Sequence, residues 1–180
     1  MSIIPILVNT YRQQFPALAN KTYFNYGGQG PMPQAALDAI LEGYRTIQSQ
    51  GPFGLKTSEW VVGESNLTRQ TIGSELGVAA TSIALTENVT VGCNIALWGI
   101  DWQPGDRILL SDCEHPGVIA SIHEICRRFQ VSVDIFPLLA TLNTGDPVAV
   151  ITAHLQPQTR LVVFSHVLWN TGQVLPLAEI

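Results

Sequence analysis

The sequence predicts an α/β protein: a three-layer α/β/α arrangement around a mainly parallel sheet, preceded by an N-terminal helical arm. Three observations carry that expectation. From about residue 83 onward, short apolar runs alternate with amphipathic stretches in a strand–helix rhythm, the order that builds parallel sheets with right-handed crossovers. The composition is 46% hydrophobic and only 13% charged, which suits a sheet covered on both faces. The run Leu161-Val162-Val163-Phe164-Ser165 reads as a strand buried on both sides.

Residues 1–33 read as the arm, a short helix followed by the Gly/Pro-rich loop YFNYGGQGPMP. Residues 34–48 read as a helix opened by Pro33 near its first position, with Leu37, Ile40, Leu41, Tyr44 and Ile47 on one face. A loop at Gly51-Pro52-Phe53-Gly54 leads to a long helix over residues 57–76, with Gly77 closing it. Residues 83–85 form a short expected strand, and residues 91–98 the next helix, with Thr90 at its N-cap.

Gly105-Asp106 turns the chain into a strand at residues 107–111. Pro116 opens a helix reaching Phe129, in which Val118, Ile119, Ile122, Ile125, Cys126 and Phe129 recur at helical spacing. Residues 131–136 alternate Val131, Val133 and Ile135 against polar Ser132 and Asp134, as a strand does. Asp146-Pro147 opens a short helix to about His154, and residues 160–166 complete the strands. The final segment, Leu175 to Ile180, resembles the first turn of a helix that would cover the last strand. The 180 residues therefore read as the N-terminal portion of a longer protein, with residues 34–180 the first part of its large domain.

The totals exclude several classes. A net charge of −5, with no basic stripe, argues against a nucleic-acid partner. No run approaches the ~18 apolar residues of a membrane span. The N-terminus lacks a basic n-region and a cleavage-site pattern, so a cytoplasmic protein is expected. Cys93, Cys113 and Cys126 are odd in number and without metal-ligand spacing, which favours reduced thiols and no metal site.

Chemistry concentrates at two places. Residues 86–97, TENVTVGCNIAL, run from a polar turn into a helix. Such a helix start presents free N–H groups and the positive end of a dipole, which suits a phosphate. The strand at residues 107–111 then delivers Cys113-Glu114-His115-Pro116-Gly117 directly before a helix. A phosphate nest and an imidazole at neighbouring strand ends suggest a phosphorylated, ring-bearing cofactor, pyridoxal phosphate. The plainer alternatives are a capping role for Thr90, a solvated or capping role for His115, and a positive-φ turn for Gly27 and Gly28.

These segments, with SHVLWNTGQVLPL after the last strand, resemble in order the fold type I pyridoxal-phosphate enzymes of the class V aminotransferase, NifS-like family. The resemblance extends from about residue 22 to residue 180 and is nearest to the C–S lyases of that family. It implies that Val89 and Thr90 bind the cofactor phosphate and that His115 stacks on the pyridine ring. Asn94 falls on the first turn of the phosphate helix, where it contacts either cofactor or neighbouring backbone. Tyr26, Gly27 and Gly28 match the segment that approaches substrate. The family places an asparagine three residues after the histidine that corresponds to His166; here Trp169 stands there and Asn170 follows, so Asn170 is carried as the cofactor contact.

The same resemblance implies pyridoxal 5'-phosphate as cofactor, a homodimer, and β-elimination from cystine or cysteine to pyruvate, ammonia and a persulfide or sulfide. That sulfur would serve iron–sulfur cluster acceptor proteins. The Schiff-base lysine, the carboxylate facing the pyridine nitrogen and the substrate-binding arginine belong to the later part of the family's chains. Neither Lys21 nor Lys56 fits the lysine, so no catalytic residue is assigned here. Rival readings are a cysteine desulfurase, an aminotransferase or epimerase, and a non-catalytic phosphate- or nucleotide-binding module. The last lacks a GxGxxG or Walker A sequence to support it.

Overall fold

The computed structural model describes residues 4–180, with side chains from residue 8; the first three residues of the expected arm lie outside the described residues. The chain forms two compact units, Met1–Leu85 and Thr86–Ile180.

The first unit is helical. Helix α1 spans Ile4–Gln13, α2 spans Gln34–Gln50 and α3 spans Leu55–Leu76. Pro33 is the N-cap residue of α2, one place earlier than expected. Helix α3 ends as Gly77 requires: it takes φ +68°, and the Val78 N–H reaches back to the Gly73 carbonyl at 2.9 Å. The apolar face of α2 is present, yet Leu37, Ile40, Leu41 and Tyr44 are exposed within the described residues. Residues 83–85 are not a strand. The backbone turns through a 3-10 segment at Ala80–Ser82 and is extended at Ile83, but a strand needs a ladder partner, and these three residues have none among the described residues.

The second unit holds the sheet. Helix α4 spans Val89–Gly99, β1 Arg107–Ser111, α5 Pro116–Phe129, β2 Ser132–Phe136, α6 Pro147–His154 and β3 Thr159–Val163. The strand order is β2-β1-β3 and both pairings are parallel. Central β1 is buried from Ile108 to Ser111 and divides the core in two. On one face Ile108 and Leu110 meet Val118, Ile122 and Ile125 of α5, with Leu97 of α4 and Trp102. On the other, Leu109 packs with Phe136, Leu138, Ile151 of α6, Leu168 and Leu175. This is the three-layer α/β arrangement the alternation predicts.

Two strands differ from expectation. β3 stops at Val163 rather than continuing to His166, and its residues are half-buried or exposed rather than buried, because in the described sheet it is an edge. In β2 the expected alternation is not kept: Val131, just before the strand, is buried and Val133 half-buried in the first core cluster, but Ile135 is exposed, and Phe136, of the opposite parity, is buried in the second. Across the sheet, Arg107 donates from Nε to Asp134 Oδ2 at 2.6 Å and from Nη2 to Oδ1. That fork holds the Asp134 carboxyl below its ordinary range.

Candidate cofactor site

The topology fixes where a site can lie. From β1 the chain passes through α5 on one face of the sheet to β2, then returns through α6 on the opposite face to β3, on the far side of β1. Reversing direction across the sheet puts successive right-handed crossovers on opposite faces. The C-terminal ends of β1 and β3 therefore flank a topological switch point, where open α/β sheets bind ligands.

The first wall is the start of α4. Asn88, not Thr90, is its N-cap: the Asn88 carboxamide oxygen accepts from the Val91 N–H at 2.9 Å, and its carbonyl accepts from Gly92 at 3.1 Å. The helix begins two residues earlier than the sequence reading places it, because asparagine is as good a cap as threonine and its side chain reaches the third helical N–H. Thr86 Oγ1 donates to the Asn88 carbonyl at 3.2 Å and braces the turn. Val89 and Thr90 then occupy the first two helical positions, where N–H groups have no intrahelical acceptor. Val89 is 73% exposed and Thr90 half-buried.

The second wall is the exit of β1. His115 is the N-cap of α5: its Nδ1 accepts from the Gly117 N–H at 3.1 Å, and Pro116 holds the first helical position. The capping alternative for His115 is thus correct as local structure, and it also orients the ring. With Nδ1 accepting, Nε2 is the ring nitrogen left free of the cap, and the residue is exposed. The two walls touch. A Cβ on Gly117 would lie 2.7 Å from Thr90 Oγ1 and 3.3 Å from His115 Nδ1, so the first turns of α4 and α5 meet at a residue with no side chain.

The third wall is the loop after β3, a small hairpin. Val167 bridges Val174, Leu168 exchanges hydrogen bonds with Gln173 and Gly172, and Gly172 closes the turn at φ +74°. Buried Leu168 and Leu175 anchor it in the second core cluster. At its tip the Trp169 ring meets the His115 ring edge-on, centroids 6.1 Å apart and planes at 70°. Asn170, next along, is exposed and interacts with the Cys113 thiol, which also donates to Asp112 Oδ1 at 3.4 Å. Cys113 is 1% exposed, and burial pushes its thiol pKa up, away from the reactive thiolate.

Val89, Thr90, His115 and Asn170 therefore gather in one unit at one end of the sheet. Asn94 lies behind them. Its Nδ2 donates to the Thr90 carbonyl at 2.9 Å and to Ser121 Oγ at 2.8 Å, while Oδ1 accepts from Trp98 at 3.1 Å. Of the two expectations for Asn94, the structure shows the bonding to neighbouring protein, a brace between α4 and α5. Tyr26, Gly27 and Gly28 belong to the first unit. There the Asn25 carbonyl accepts from Gly28 and Gln29 in a turn, and the Tyr26 ring meets Tyr23 edge-on at 5.4 Å. Neither glycine is among the positive-φ residues, so the left-handed alternative for this pair is set aside. His123 is exposed; His154 is half-buried, its Nδ1 2.7 Å from the Val150 carbonyl. Cys93 and Cys126 pack against the first core cluster.

Three contributors escaped the sequence reading: the Asn88 cap, the Trp169–His115 contact and the buried carboxylate of Glu114. Asn88 had a local signal, since an asparagine three residues before a free N–H is an N-cap pattern. The other two depend on residues some fifty positions apart.

A family model described as aminotransferase class-V matches residues 22–180. The chain belongs to the class-V aminotransferase family. Among class-V relatives, it is 30% identical to isopenicillin N epimerase of Streptomyces clavuligerus over 87% of this chain and 39% of that protein. It is 29% identical to cysteine desulfurase IscS of Anaeromyxobacter sp. (strain K), over 88% of this chain and 39% of that one. Among solved structures it superposes with TM-score 0.88 and 53% identity on the cystine C–S lyase C-DES in complex with its reaction product cysteine persulfide. That match covers 93% of this chain and 44% of that one. A mutant of C-DES with glycine covalently linked to its PLP cofactor matches with the same TM-score and identity. This class-V chain thus spans about 40% of the length of the relatives it matches. No helix among the described residues is long and apolar enough to cross a membrane.

Proposed function

We propose that the full-length protein is a pyridoxal 5'-phosphate-dependent carbon–sulfur lyase acting on cystine or cysteine. The observation that carries this reading is the convergence of the Val89–Thr90 helix start with the His115 ring at the β1/β3 switch point, in a chain 53% identical to a cystine C–S lyase. The residues fit the cofactor. Val89 and Thr90 offer unbonded N–H groups and a hydroxyl to a phosphate dianion at the positive end of α4. His115 offers an exposed aromatic face whose orientation is fixed by its cap bond to Gly117. Asn170 stands beside it at the hairpin tip, within reach of the same mouth, and Asn94 supports the phosphate turn from behind.

When bound, the cofactor supplies an electron sink that makes the substrate's Cα proton acidic. This chain's residues bind and orient. The α4 start would anchor the phosphate end, and His115 would stack on the ring and hold it in place. The reaction would break the Cβ–S bond and consume one water, giving pyruvate and ammonia from the three-carbon part. From cystine the sulfur product is cysteine persulfide, and from cysteine it is sulfide. Such sulfur suits delivery to iron–sulfur cluster acceptor proteins.

On this reading the lysine that carries the cofactor, the carboxylate facing the pyridine nitrogen and the arginine for the substrate carboxylate come from chain beyond residue 180. Residues 1–33 are an arm and residues 34–180 the first part of the large domain. Tyr26, Gly27 and Gly28 approach the substrate, in a cytoplasmic homodimer. Product analysis of the full-length protein tests the reaction: pyruvate from cystine supports elimination, whereas alanine from cysteine indicates desulfuration and overturns it.

A further inference from the structure

Beyond the last rung of the β1–β3 ladder, Leu110 with Val163, the two strands part to form the mouth of the site. One side chain spans it. Glu114 Oε1 accepts from Ser111 Oγ at 2.8 Å and from the Ser165 N–H at 2.7 Å, and Oε2 accepts from Ser165 Oγ at 3.0 Å. The carboxyl is buried, 6% exposed, and no cation pairs with it among the described residues. A carboxylate so placed is costly to bury, and its hydrogen bonds are what offset that cost.

Its position in the chain shows what those bonds do. Glu114 immediately precedes His115, and Ser165 lies four residues before Trp169. A further link is the interaction of Asn170 with the thiol of Cys113, Glu114's neighbour in the chain. The edge-on packing of His115 against Trp169 depends on the relative height of these two loops, since neither loop has ladder bonds to the other.

We propose that Glu114 is a positioning residue that sets the His115 ring against Trp169, and so fixes the slot into which the cofactor ring fits. The proposal rests on the cofactor reading above and adds a residue that does not itself touch the cofactor. It acts by hydrogen-bond geometry, not by charge. Glutamine would keep all three contacts: its oxygen accepts from Ser111 and from the Ser165 N–H, and its amide donates to Ser165 Oγ.

The test compares wild type, Glu114→Leu and Glu114→Gln in the full-length protein, with Ser165→Ala as the milder variant should Glu114→Leu not fold. Hydrogen exchange of the cofactor-free protein is read over residues 112–118 and 164–173, with residues 119–129 and 132–136 as controls. Pyridoxal phosphate affinity is measured in parallel. Glu114→Leu should exchange about 10- to 100-fold faster at Ser165, the cost of leaving that N–H without its acceptor. It should also bind the cofactor at least about tenfold more weakly, with the control segments unchanged and both effects absent in Glu114→Gln. Ser165→Ala should show the same pattern at lower amplitude.

Unchanged local exchange in Glu114→Leu, or equal damage in Glu114→Gln, overturns the proposal. A wild-type protein that binds no pyridoxal phosphate overturns the cofactor reading instead, while the exchange data still decide whether Glu114 ties the two loops.

Discussion

Replacing Thr90 by alanine should separate cofactor binding from folding. In the proposed site the Thr90 hydroxyl bonds a phosphate dianion, and a hydrogen bond to a charged group contributes about 1.5–3 kcal/mol. At ~1.4 kcal/mol per tenfold, Thr90→Ala should weaken pyridoxal phosphate binding by about one to two orders of magnitude. Binding is not abolished, because the N–H groups at positions 89 and 90 remain. The fold should scarcely respond. Thr90 is half-buried, so deleting its methyl forgoes about half of the ~0.8 kcal/mol of a buried methylene. Alanine's better helix propensity returns a similar amount. Thr90→Ser keeps the hydroxyl and should restore affinity to within about threefold of wild type. The assay is spectrophotometric titration of the full-length, cofactor-free protein with pyridoxal phosphate, beside a urea denaturation curve. Wild-type affinity in Thr90→Ala, or no recovery in Thr90→Ser, refutes the assignment of this hydroxyl to the phosphate.

Gly117→Ala should behave oppositely to most glycine-to-alanine changes in a helix. The new Cβ would sit 2.7 Å from Thr90 Oγ1, and a stiff β-branched side chain yields poorly, so stability should fall by about 1–3 kcal/mol in denaturation and cofactor affinity should fall with it. Arg127 and Arg128 hold the Glu124 carboxyl at about 2, against an ordinary 4.5. A depressed carboxylate stabilises the fold fully above its ordinary value, and that contribution is lost as pH falls through about 2. The difference in melting temperature between wild type and Glu124→Gln should therefore be present near neutrality, close in acid, and shrink in high salt, since the pair is at the surface.

The parts of the fold legible in sequence are those governed by short-range patterns. Helix α5 shows a six-residue apolar repeat with Pro116 at its start, and β1 is a short apolar run between a Gly-Asp turn and a polar loop. Asp146-Pro147 and Gly77 are a cap and a stop whose chemistry is local. What was misread depends on a partner or a close choice. Residues 83–85 have strand composition but no ladder, and β3 has a buried-type sequence at an edge of the described sheet. Asn88 and Thr90 are equally plausible caps, and only the Val91 N–H distinguishes them.

The candidate site divides in the same way. Val89, Thr90 and His115 could be read because a polar turn before a helix and a histidine before a Pro-Gly helix start are local signals. The Glu114–Ser165 bonds join residues 51 apart, and the Trp169–His115 contact joins residues whose spacing carries no periodic mark. Trp169 stood out in sequence only as a departure from the family pattern. The structure turns that departure into a ring wall against His115.

The central claim, that this chain forms the phosphate and ring-stacking half of a pyridoxal-phosphate lyase, is tested most directly by incubating the purified full-length protein with cystine and identifying the products. The account predicts a yellow protein, bleached by borohydride, that releases pyruvate and ammonia in equal amounts together with cysteine persulfide. A colourless protein that binds no pyridoxal phosphate, or a yellow one that forms alanine and no pyruvate, would contradict it.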